Sequence, residues 1–73
     1  MKIFLIEQNF TGYDSFSGHV IVANNENEVR ELAKQRSGFE GTGIWDIATI
    51  TIEGNYTGNE TEPFILLSDY LAG

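Results

Sequence analysis

Apolar positions along the chain fall into four short runs and one helical stripe. Residues 2–8, KIFLIEQ, hold four consecutive apolar side chains, the pattern of a strand buried on both faces and so central in a sheet. Residues 12–18 read as a turn-rich connection. HVIVA, residues 19–23, is a second strand, apolar and β-branched. Asn24 and Asn25 break it. Val29, Leu32, Ala33 and Arg36 then follow i, i+3, i+4, i+7 spacing, which predicts a helix over 25–36 with one narrow apolar stripe. Asn25 and Glu28 make a capping-box-like start. Glu26 and Glu28 suit the positive end of the helix dipole, and Gly38 is the expected left-handed cap.

Residues 37–47, SGFEGTGIWDI, read as a loop with three glycines and two large aromatics. ATITIE, residues 48–53, alternates strictly, with Ala48, Ile50 and Ile52 on one face, as a half-exposed strand does. GNYTGNETEP, residues 54–63, is a polar turn. FILLS, residues 64–68, is the last strand, and DYLAG a short tail. The order β-β-α-β-β predicts a single small α+β domain over 1–73, with one helix packed on a four-stranded, mainly antiparallel sheet. Phe4 and Phe64 belong to its core, and Trp45 and Phe39 are expected to extend the cover that a narrow helix leaves incomplete.

Size and charge narrow the function. A chain of 73 residues buries only about 60% of its unfolded surface, and without cysteine it has no disulfide or thiolate metal site to staple it. The formal charge is −7, and it is lopsided. Residues 1–36 carry five acids and four bases, and residues 37–73 six acids and no base. That field repels phosphate backbones, which disfavours direct nucleic-acid binding, and attracts basic surfaces. The apolar run Ile3–Ile6 is too short for a signal peptide, and no run approaches a membrane span. The expected setting is cytoplasmic, with no membrane partner.

Catalytic chemistry finds little support. His19 is the only histidine, and a lone strand histidine is far more often a structural or surface residue than a general base. None of Ser15, Ser17, Ser37 and Ser68 sits in a nucleophile elbow. Asn55, Asn59, Glu60 and Glu62 do not follow the EF-hand spacing. GFEGTG lacks the lysine of a phosphate loop and follows the helix instead of opening one. A non-enzyme without cofactor or metal is expected.

The aromatic supply is the remaining signal, nine rings in all. The stretch NFTGYDSFSG sets Phe10, Tyr13 and Phe16 among small polar residues. Phe16 is expected to turn inward and seal the core, with Tyr13 and Asp14 facing out. Aromatics among carboxylates make good anchors for a basic partner, because Tyr and Trp dominate interface hot spots. The expected partner-binding set is Tyr13, Asp14, Phe16, Tyr56, Glu60 and Glu62. Two alternatives stand beside it. One is a homodimer pairing an exposed edge strand. The other is a homo-oligomer that sequesters a nucleotide-like signal with Arg30, Lys34 and Arg36 lining its pockets.

MKIFLIEQ, GYDSF, VIVANNENEVRELA, a lone Trp and ILLSDYLAG, taken in order, resemble a group of very small acidic phage and prophage proteins. The chain departs from their pattern in EVREL and in the GFEGTG insertion. The resemblance implies a phage or mobile-element setting and carries over no catalytic residue. It shifts the expected role toward binding, and inhibiting, a host protein with a basic surface, in host takeover or against host defence.

Overall fold

The structure, a computed structural model, describes residues 1–9, 12–38 and 40–71. The elements run β1 (Lys2–Glu7), β2 (Ser15–Ala23), α1 (Glu26–Gln35), a 3₁₀ turn (Gly43–Asp46), β3 (Thr49–Asn55) and β4 (Phe64–Leu71). The four strands form one sheet in the order β3-β1-β2-β4, and each neighbouring pair is antiparallel. The α+β class and the β-β-α-β-β order are those the apolar pattern predicts. β1 takes a central place, as its unbroken apolar run requires.

One face of the sheet carries the core. Phe4 and Ile6 of β1, Ile21 and Ala23 of β2, Val29 and Ala33 of α1, and Trp45 and Ala48 beyond the helix pack as one cluster. Strand alternation puts Phe4 and Ile6 opposite Ile21 and His19, so both strands turn one set of side chains toward α1. The helix begins as its sequence dictates. Asn25 Oδ1 accepts from the Glu28 amide at 3.0 Å, a cap worth about 1 kcal/mol. The reciprocal bond falls one residue early, from the Asn24 amide to Glu28 Oε1 at 2.7 Å.

Phe64 does not join Phe4 in the core: it is half-buried beside Val22 and Tyr56 on the other face of the sheet. Four further expectations are corrected. Gly38 is not a left-handed cap. The helix closes through the Arg36 amide on the Ala33 carbonyl, and among the described glycines the positive φ, +79°, falls on Gly41. Gly38 is required for another reason, since a Cβ there would stand 2.5 Å from the Asp14 carbonyl oxygen. Second, β2 begins at Ser15, so residues 15–18 are strand and not turn. Their polar composition hid this. Glycine is needed at position 18, because a Cβ there would meet the Ile6 carbonyl at 2.8 Å. Third, the tail after Ser68 continues β4 to Leu71, paired with the early part of β2. Fourth, residues 56–63 are not a hairpin turn. β3 and β4 are opposite edges, so this segment crosses the end of the sheet, a span of about 14 Å at ordinary strand spacing. Phe39 and Phe10 lie outside the described residues. Trp45 does extend the cover as expected, fully buried on the 3₁₀ turn.

Candidate functional site

The β1–β2 connection closes at a corner. Asp14 has φ +59°, a left-handed conformation that Asp tolerates better than most residues. It lets the Asp14 amide donate to the Leu71 carbonyl at 2.6 Å, just before Ser15 pairs with Leu71 to start the β2–β4 ladder. The Tyr70 hydroxyl reaches Asp14 Oδ1 at 3.4 Å. Partial burial, and then the Asp14 carboxylate, raise the Tyr70 hydroxyl above its ordinary pKa. Tyr13 stands at the tip, 71% exposed.

Glu40 holds this corner from beneath. Its Oε1 accepts from the Phe16 amide at 3.1 Å and the Gly38 amide at 2.9 Å. One carboxylate oxygen therefore ties the segment after the helix to the start of β2. Phe16 is half-buried against the core, with its ring centroid 5.0 Å from His19 and 4.7 Å from Tyr70. The inward turn expected of Phe16 and the outward turn of Tyr13 and Asp14 both agree with the structure. Phe16 thereby belongs to the corner's support more than to its surface.

Tyr56, Glu60 and Glu62 stand elsewhere. The Tyr56 amide donates to the Met1 carbonyl, its hydroxyl to Glu60, and its ring stands edge-on to Phe64. Phe64 pairs with Val22, whereas the Tyr13 corner lies beyond Ser15. Seven residues along β2 separate the two ends, about 23 Å. The six residues expected to form one surface are thus split between opposite ends of the sheet, because the 56–63 connection crosses the end far from the β1–β2 connection.

The three cations of the ligand-binding alternative do not converge either. Arg30 Nη1 donates to the carbonyls of Trp45 at 2.8 Å and Ala48 at 2.9 Å, fastening the 3₁₀ turn to the helix. Lys34 pairs with Asp46 at 2.6 Å, and that hydrogen bond raises its pKa. Arg36 alone borders a groove, about 330 Å³ between α1 and β4, with Leu32, Pro63 and Ile65.

His19 is a core residue, 1% exposed, its ring 4.9 Å from that of Trp45. Nδ1 lies 2.7 Å from Ser68 Oγ, which also accepts from Arg36 Nη1 at 3.2 Å. This cluster joins residues 49 positions apart, and nothing in the sequence announced it. Burial foremost, then the Arg36 charge, lower the His19 pKa below 6.5, with Glu40 opposing. The unfolded chain therefore binds a proton that the folded chain resists. His19 contributes stability above the unfolded value, and loses it as pH falls below about 6.5 toward the lowered folded value. Urea midpoints at pH 7.5 and 5.5 should show the wild type losing stability relative to His19→Phe on acidification. Equal pH dependence in the two proteins would contradict the burial argument. Among the described residues no three His, Cys, Asp or Glu side chains gather as metal ligands would, and no helix is long and apolar enough to cross a membrane.

Comparisons add no relative. No protein-family model matches the chain, and no curated protein or solved structure gives a significant match.

Proposed function

We propose that this chain is a non-enzymatic interaction module that binds a host protein through a basic surface on that partner, in a phage setting. The observation that carries the reading is the Tyr13–Asp14 corner. It offers a highly exposed aromatic ring and a carboxylate on backbone fastened to Leu71 on one side and, through Glu40, to the segment after α1 on the other. An anchor held in place before contact loses little conformational freedom on binding, and Tyr is a favoured hot-spot residue. The net charge of −7 steers basic partners toward it. The enclosure of His19 within aromatic rings supports a binding role over catalysis, since a substrate has no access to a general base buried to this degree. Inhibition of the host protein, in takeover or anti-defence, follows if the occupied basic surface is the one the host protein uses.

The split between the two ends of the sheet refines the expected interface. Tyr13 and Asp14 make the contact, and Glu60 and Glu62, toward the opposite end of the sheet, contribute long-range field alone. Capture from host lysate tests this. The wild type should retain a host protein at low salt and release it at high salt, because exposed charges are screened beyond about a Debye length. Tyr13→Ala, Asp14→Ala should retain none. Retention unchanged by the double substitution would remove the corner from the interface.

A further inference from the structure

The sheet has a second apolar face that α1 does not cover. Strand alternation sets Ile3 and Leu5 of β1 opposite Val22 and Val20 of β2, and Val20 opposite Leu67 of β4. Toward one end this face is closed. Val22 is fully buried there, beside its partner Phe64 and the Tyr56 ring that stands on Phe64. Toward the other end it is open. Leu5, Val20 and Leu67 floor a groove of about 110 Å³ whose rim carries the carboxylates of Glu7 and Asp69, and Leu67 is 66% exposed. A sheet apolar on both faces normally packs a layer on each. Among the described residues one α-helix is present, and it lies on the other face.

Charge identifies what fits the other side. Arg30, Lys34 and Arg36 belong to α1 or its cap, and alternation along β1 turns Lys2 to the face of Phe4 and Ile6. All four Lys and Arg of the chain therefore lie on the helix side, and the open groove is rimmed by acids. A second copy placed face to face would oppose carboxylate to carboxylate at net −7 each. A partner with aliphatic anchors flanked by Lys or Arg meets both the floor and the rim. We infer that the sheet face opposite α1 is a second docking surface, built for an amphipathic basic helix that lays its aliphatic stripe over Leu5, Val20 and Leu67 and sets its cations against Glu7 and Asp69.

The test uses a synthetic helical peptide of Leu and Lys with its leucines on one face, beside a control with Glu in place of every Lys. Calorimetric titration into the full chain should give binding for the Leu/Lys peptide and none for the Leu/Glu peptide. Leu67→Ser should weaken it about tenfold or more, the loss expected for one buried aliphatic anchor. Because Leu67 is exposed, this variant keeps its fold, which circular dichroism checks. Glu7→Lys should weaken binding, whereas Glu31→Lys, the same charge change on the helix side, should not. Binding of both peptides alike, equal losses from Glu7→Lys and Glu31→Lys, or no binding of the Leu/Lys peptide would overturn the inference. So would a dimer, seen by sedimentation, that Leu67→Ser dissociates, since a second copy would then be the occupant. Tyr13 and Asp14 are not varied here, so failure of this surface leaves the corner's role to its own test.

Discussion

Trp45→Ala should lose about 3–5 kcal/mol of stability, the usual cost of truncating a large buried aromatic. A chain of 73 residues has only roughly 4–11 kcal/mol in total, so the variant stands at or near the edge of unfolding. Trp45 is fully buried and its ring lies against His19, so truncation leaves a cavity and removes that ring contact together. A narrow helix with Val29 and Ala33 as its buried residues cannot close over the space left behind. Trp45→Phe, which keeps a ring beside His19, should cost distinctly less. Urea denaturation followed by far-ultraviolet circular dichroism measures both, since each variant removes the chain's only tryptophan fluorophore. A loss below about 1 kcal/mol for the alanine variant would contradict the packing described.

Gly38→Ala should be the next most damaging change, at about 2 kcal/mol, through overpacking against groups that cannot yield. The added Cβ would stand 2.5 Å from the Asp14 carbonyl oxygen, 3.0 Å from Glu40 Oε1 and 3.2 Å from the Tyr70 ring. The first of these is backbone. Relief requires the segment after α1 to move off the corner, which pulls Glu40 away from the Phe16 amide and loosens Asp14. The variant should therefore lose partner capture as well as stability. Gly12→Ala is the control, because its nearest neighbour would be Ser15 Oγ at 3.9 Å, and it should change stability by no more than a few tenths of a kcal/mol. Equal midpoints for Gly38→Ala and wild type would show that the loop does not bear on the corner.

The fold was legible where one element decides its own structure. The unbroken apolar run Ile3–Ile6 announced a central strand, and the Asn25 cap and the Val29–Ala33 stripe announced the helix. Strand ends were obscured where polar residues are held by partners far along the chain. Residues 15–18 are drawn into the ladder by residues 69–71, and no local preference reveals that. The candidate site divides in the same way. The outward turn of Tyr13 and Asp14 followed from their polar neighbourhood. Placing Tyr56, Glu60 and Glu62 on the same surface failed because strand order, which puts β3 and β4 on opposite edges, is a long-range fact. The structural engagement of Arg30 with two carbonyls was likewise hidden. The open face had a signal in the sequence, two strands apolar on both faces and a single helix to cover them.

The corner is the centre of the account, and capture from host lysate with two matched double variants tests it most directly. Tyr13→Ala, Asp14→Ala and Glu60→Gln, Glu62→Gln are both exposed changes, checked for folding by circular dichroism. The first should abolish salt-sensitive retention of a host protein, and the second should lower it only modestly, as a distant charge does. Retention lost with Glu60→Gln, Glu62→Gln and kept with Tyr13→Ala, Asp14→Ala would contradict it, and would move the interface to the far end of the sheet.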